Sequence, residues 1–168
     1  MRDIFIHETA EVAKESTIKS GTKIWNWTKV RENAVIGEKC SIGQCVYIDL
    51  DVSIGDRCKI QNGVQIYKGV VIQDDVFIGP NVTFTNDKYP RAHNNNWVIL
   101  NTVVEAGVSI GASAIIICGI TLGKNAMIAA GSVVTKDVPA NGLVMGNPAK
   151  LVDQVSFLGS PAKDSEEK

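Results

Sequence analysis

Few side chains in this chain are equipped for chemistry, and they are unevenly placed. Its 168 residues include 2 histidines and 4 cysteines. Cys40, Cys45, Cys58 and Cys118 form no Cys-x-x-Cys pair, which argues against a zinc or redox motif. His7 and His93 are too few for a three-histidine zinc site, so no metal is expected. The densest polar run is Asn86-Asp87-Lys88-Tyr89-Pro90-Arg91-Ala92-His93-Asn94-Asn95-Asn96, and Glu105 follows soon after. A carboxamide can orient a nucleophile that carries a proton, and a carboxylate or imidazole can accept one. Arg91 can pair with a phosphate or carboxylate. The same run is also ordinary turn chemistry, since Asn, Asp and Pro all favour bends.

Composition narrows the setting without naming a reaction. Apolar residues make up 45% and charged residues 21%, with a net charge of −1, which gives no electrostatic reason to expect nucleic acid or an anionic membrane. The start, Met1-Arg2-Asp3-Ile4, lacks the apolar run of a signal peptide. The uncharged stretch Ala106–Gly123 carries four glycines and two serines, which does not suit a transmembrane helix. A cytoplasmic protein with reduced thiols is expected.

A repeat of six residues must position these groups. From Val12 the sixth residues are Ile18, Ile24, Val30, Ile36, Ile42, Ile48, Ile54, Ile60, Ile66, Ile72, Ile78 and Phe84. Two places earlier stand small or β-branched residues such as Ala10, Ser16, Thr22, Ala34, Cys40 and Cys58. Neither a helix nor a simple alternating strand has this period. Six residues make one short strand and a bend, and glycines such as Gly37, Gly43, Gly55 and Gly79 should relax the bends. The period resumes at Val104, Ile110, Ile116, Leu122, Ile128 and Val134. Stacked hexads of this kind form a parallel β-helix, and an interruption maps to a loop on one face. The reading is all-β: residues 1–150 form the β-helix, with an insertion at about 86–101 and a polar tail over 151–168.

The hexads, the interrupting loop and the closing Gly146-Asn147-Pro148-Ala149-Lys150 resemble the hexapeptide-repeat acyltransferases over nearly the whole chain. Ile60-Gln61-Asn62-Gly63-Val64-Gln65-Ile66-Tyr67-Lys68-Gly69 and Phe77-Ile78-Gly79-Pro80-Asn81-Val82-Thr83-Phe84-Thr85-Asn86-Asp87-Lys88-Tyr89-Pro90-Arg91-Ala92 are similar to bacterial enzymes that acetylate the 3-amino group of nucleotide-linked sugars. The resemblance implies a left-handed coil with three hexads per turn. It also implies a homotrimer with acetyl-CoA and a UDP- or dTDP-linked amino sugar between subunits, serving surface polysaccharide synthesis.

The resemblance points to Asn86 as the residue that accepts a hydrogen bond from the attacking amine. If the loop adds two residues to an eighteen-residue coil, Glu105 and Gly107 stack beside Asn86 and Asp87, with Tyr67 and Lys68 below. Asp87 or Glu105 would then be the base, unless the departing CoA thiolate takes the proton as the resemblance also allows, and the Gly107 amide would be an oxyanion donor. Gln61, Asn62, Tyr67, Lys68, Tyr89 and Arg91 are expected to bind substrate. Gly111, Ala129 and Gly131, with Ala130, leave room for a pantetheine arm. Lys136 and Lys150 would meet phosphates, and Pro148 would wall the adenine. Trp25 and Trp27 cover the open end of the coil, join a subunit contact or line a nucleotide pocket. Outward Val103, Ile99, Ile115 and Ile117 suggest an apolar interface. Two other readings stay open: a histidine-dependent O-acetyltransferase using His93, and a scaffold without catalysis.

Overall fold

The computed structural model describes residues 3–156. These form 22 strands and no helix, and most strands are two residues long, one pointing out and one in. The strands gather into three parallel ladders, giving a three-sided β-solenoid. Face A stacks Phe5–Ile6, Lys23–Ile24, Ser41–Ile42, Lys59–Ile60, Phe77–Ile78, Ser109–Ile110 and Met127–Ile128. Face B stacks Glu11–Val12, Lys29–Val30, Tyr47–Ile48, Gln65–Ile66, Thr83–Phe84, Ile115–Ile116 and Val133–Val134. Face C runs from Thr17–Ile18 to Thr121–Leu122.

The second residue of each strand fills the prism. From Ile24 to Val134 every one of these is buried, with Phe84 the largest. Each fully buried aliphatic side chain contributes about 1.5–3 kcal/mol, so one interior column per face holds the coil without any helix. The small residue two places earlier sits buried at the corner, as Ala34, Cys40, Val64 and Ala114 do.

The glycines after the aliphatics act differently from the sequence expectation. They do not relax the bend. A side chain on Gly79 would meet the Ala112 nitrogen at 2.7 Å, so glycine there lets successive coils approach. The left-handed bend residue comes two places later, and it is most often not glycine: Lys39, Cys45, Asp51, Arg57 and Asn81 all have positive φ.

Three corners join the faces, and two register findings correct the sequence reading. Phe84 pairs with Ile116 and Ile72 with Val104, so the loop extends its coil to 32 residues rather than 20. The chain leaves the B–C corner after Phe84 and re-enters at the same corner, on face C. The residues six and twelve places past Phe84 are Pro90 and Asn96, neither able to fill the interior. The expected boundary at residue 150 also fails. Gly142–Gly146 and Ala149–Gln154 form an antiparallel hairpin on the end of face A, and Val155 is buried with its N–H bonded to Asn141. Only the part of the expected tail beyond Ser156 lies outside the described residues.

The four cysteines are free. Thr22, Cys40 and Cys58 share one corner column, and each donates to a carbonyl fifteen residues on: Gly37, Gly55 and Gln73, at 2.7, 3.1 and 3.1 Å. The thiols therefore stand in for a threonine hydroxyl. The hydrogen bond to Cys40 and burial push the Cys58 thiol up, away from a reactive thiolate. Under native conditions a maleimide is expected to label exposed Cys45 alone. Labelling of Cys40 or Cys58 at a comparable rate, read by peptide mass, would contradict this packing.

Candidate active site

The loop closes on a narrow base. Leu100 N–H donates to the Asn86 carbonyl at 3.5 Å, and Thr102 N–H donates to the Gly69 carbonyl at 2.9 Å. A side chain on Gly69 would meet Ile99 at 2.5 Å, so glycine there admits the returning limb. Within the loop, Asp87 Oδ1 accepts the Tyr89 N–H at 2.9 Å, a tight turn just past Asn86. The Asn86 side chain is half-buried and has no hydrogen-bond partner among the described residues. Asp87, Tyr89, Trp97, Val98 and Leu100 line a hollow of about 280 Å³ under the loop. Arg91 is exposed and turns its Nη1 back to the Pro90 carbonyl, and His93 is exposed at the tip.

Below Asn86 the corner is built on a residue that the sequence reading did not place in the site. Asp49 is buried, and its carboxylate accepts the Tyr47 hydroxyl at 3.0 Å, the Leu50 N–H at 2.8 Å and the Lys68 N–H at 3.1 Å. Burial holds the Tyr47 phenol above its ordinary value, so it remains a donor. Tyr67 packs on Tyr47 at 5.6 Å. Lys68 Nζ is 2.7 Å from Asp51 and lowers that carboxyl, which leaves Lys68 less free for a substrate than the sequence suggested. Asp49→Ala strands two N–H groups and a phenol and is expected to cost about 2–3 kcal/mol. A denaturant melt within a few tenths of wild type would refute this.

Glu105 and Gly107 do not join this cluster. The longer loop carries them to the C–A corner, where Glu105 Oε2 accepts the Lys124 N–H at 2.7 Å and Gly107 N–H donates to the Asp74 carbonyl at 3.0 Å. Neither group is free to serve as base or oxyanion donor beside Asn86. The coil above Asn86 brings Cys118 instead, its N–H bonded to Thr85 Oγ1 at 3.0 Å. Lys136 stands one coil further on the same corner. The expected interface residues also disperse: Ile115 faces out from face B, Val103 from face C, and Ile99 lies in the loop.

Gln61, Asn62, Gly111, Ala129 and Gly131 all lie on the A–B corner, at the other edge of face B. An apolar groove of about 420 Å³ runs along the helix axis there, between Phe77, Gly111, Met127, Ala129, Ala130 and Leu143. The hairpin that carries Pro148 and Lys150 begins at its end. Some turn N–H groups at this level of a coil meet a side chain: Gln44 donates to Asn62, Ala106 to Gln73 and Lys124 to Glu105. The residues stacked above and below Ala112 and Ala130 offer no side-chain acceptor, and the two N–H groups find none among the described residues. Two unspent donors at an open apolar groove suit a carbonyl oxygen that gains negative charge. The runs of small residues signalled the groove; the free N–H groups emerge only from the hydrogen-bond pattern.

Comparison with known proteins agrees with this architecture. The bacterial transferase hexapeptide family (six repeats) matches residues 15–49 and 51–86, and the hexapeptide repeat of succinyl-transferase matches 33–68 and 101–136, so the gap between matches falls in the loop. The chain belongs to the hexapeptide-repeat transferases. It is 29% identical to the galactoside O-acetyltransferase of Escherichia coli over 89% of this chain and 72% of that protein. It spans only 29% to 49% of the serine acetyltransferases it also matches. A hexapeptide-repeat acetyltransferase of Vibrio cholerae, solved with acetyl coenzyme A, shares 28% identity at a TM-score of 0.65, over 72% of this chain and 70% of that one. The GDP-perosamine N-acetyltransferase of Caulobacter crescentus shares the fold at 20% identity and a TM-score of 0.62, over 90% of this chain and 57% of that one.

Proposed function

We propose that the protein transfers acetyl from acetyl-CoA to the amine, at C3, of a nucleoside-diphosphate amino sugar. The reading places it in the cytoplasm, in the making of a bacterial surface polysaccharide. It is supported by the two edges of face B, each of which holds half of a site. Asn86 and the loop stand on one edge; the small-residue groove with the free Ala112 and Ala130 N–H groups stands on the other. A three-fold assembly through face B sets the loop edge of one subunit against the groove edge of the next. The outward residues of face B suit this, passing from Gln65 and Thr83 to Ile115 and Val133.

The observation that carries the amine over a hydroxyl is the company Asn86 keeps. The nearest carboxylate, Asp87, spends an oxygen on the Tyr89 N–H, and His93 is at the exposed loop tip. A hydroxyl needs a base to become a nucleophile, whereas a neutral amine attacks without one. Asn86 Oδ1 accepts one amine hydrogen and aims the nitrogen lone pair. The amine nitrogen bonds to the acetyl carbon while the Ala112 N–H donates to the carbonyl oxygen. The C–S bond then breaks, and the nitrogen's surplus proton goes to the departing CoA sulfur.

Intact-mass detection of product tests this, using acetyl-CoA with UDP- and dTDP-linked 3-amino and 4-amino sugars, serine and a galactoside. Acetylation of an amino sugar is expected. Acetylation of serine or the galactoside alone, abolished by His93→Ala, would replace this reading with O-acetyl transfer. Sedimentation of a monomer under assay conditions would remove the shared site.

A further inference from the structure

A second groove on the A–B corner has no part in acetyl transfer. It measures about 330 Å³ and is lined by Trp25, Asn26, Ser41, Gly43, Gln44, Ile60, Gln61 and Asn62. Phe5 packs against Trp25 with ring centres 5.3 Å apart, so the indole is held as a wall although it is 43% exposed. The side chains of Asn26, Gln44 and Gln61 have no hydrogen-bond partner among the described residues, and Asn62 spends only Oδ1, on the Gln44 N–H at 3.0 Å. One aromatic face ringed by uncommitted carboxamides matches a heterocyclic base. A carboxamide is the complement of an imide, whose ring N–H and carbonyl it can meet with two parallel bonds.

The groove is also in line with the reacting end. N–H to carbonyl bonds from Cys45 to Asn26, Gly63 to Gln44, Asn81 to Asn62, Ser113 to Pro80 and Gly131 to Ala112 form one ladder up this corner. Gln44 therefore lies three coils below Ala112, about 14 Å at the spacing of adjacent strands. A sugar, two phosphates and a ribose separate an amine from its base by a distance of that order. On face A, Lys59 points outward between Ser41 of this groove and Phe77 of the other, and Lys23 lies on the far side of Ser41. Neither lysine forms an ion pair among the described residues, whereas Lys29 and Lys68 do.

Resting on the reading above, we propose that the Trp25 groove holds the base of the nucleoside diphosphate, a uracil or thymine, and that Lys59 meets its diphosphate. The base lies against Trp25 and its imide edge meets the carboxamides. The acetyl-CoA groove is separate, so the two substrates bind end to end along one corner.

Calorimetric titration of the intact protein with UDP, dTDP, GDP and ADP tests the groove without catalysis. UDP or dTDP should bind, and Trp25→Ala or Gln44→Ala should weaken it about tenfold or more, the size of one lost base stack. Trp25→Phe keeps an aromatic wall and should retain most of the affinity, which guards against a misfolded alanine variant. In turnover, Trp25→Ala should raise KM for the sugar nucleotide and leave KM for acetyl-CoA in place. Acetylation with an unchanged sugar-nucleotide KM would overturn the groove and leave the proposed function standing. Trp25-dependent nucleotide binding without acetylation of any amino sugar would do the reverse. Tighter binding of GDP or ADP than of UDP and dTDP would overturn the pyrimidine assignment.

Discussion

Asn86→Ala is expected to lower kcat for the amino-sugar substrate by about 10²-fold or more, because a misaimed nucleophile loses most of its positional advantage. The side chain is half-buried and makes no hydrogen bond among the described residues, so the fold does not depend on it. Melting temperature and acetyl-CoA affinity should therefore match wild type, which separates a lost catalytic group from a collapsed loop. Asn86→Asp keeps an accepting oxygen but adds a negative charge that favours the ammonium form of the substrate, and it should also be slow at neutral pH. Its rate should recover as pH rises and the amine is released from its proton. His93→Ala should be close to wild type. Wild-type kcat in Asn86→Ala together with a large loss in His93→Ala would move the chemistry to the loop tip and to a hydroxyl acceptor.

Ala112→Pro should be equally costly for a different reason. It deletes one backbone N–H and leaves every other side chain unchanged. Pro80 occupies the same turn position one coil below, so this bend already accepts proline. Loss of one preorganised oxyanion donor costs about 10²–10³-fold in kcat. Ala112→Ser retains the N–H and should keep most of the activity. Ala130→Pro, one coil further along the groove, should act mainly on KM for acetyl-CoA. Equal kcat in Ala112→Pro and wild type would exclude this amide as the donor and move the carbonyl elsewhere along the groove.

These two variants probe opposite edges of one face, and their legibility in the sequence differs. Asn86 is legible in the sequence through the family resemblance of the segment around it, since an Asn-Asp pair where the period of six breaks is by itself ordinary turn chemistry. The groove beside Ala129 and Ala130 stood out as a run of small residues at hexad spacing. Glu105 stacks beside Asn86 only in the shorter register the sequence suggests; in the structure it is a turn staple for Lys124. Asp49 carries no such signal in the sequence, yet it holds the turn that carries Lys68 beneath the loop.

The period of six by itself determined the solenoid, its interior residues and the place of the loop, because only stacked short strands bury every sixth residue. It did not determine which corner meets which. Every face presents the same inward aliphatic, so the pattern after the loop reads alike on whichever face it resumes. Pairing of Phe84 with Ile116 decided that phase and carried Glu105 and Gly107 away from Asn86. The free Ala112 amide was likewise invisible in the sequence. Whether a turn N–H is spent depends on which side chains the coils above and below bring to it, and stacking decides that.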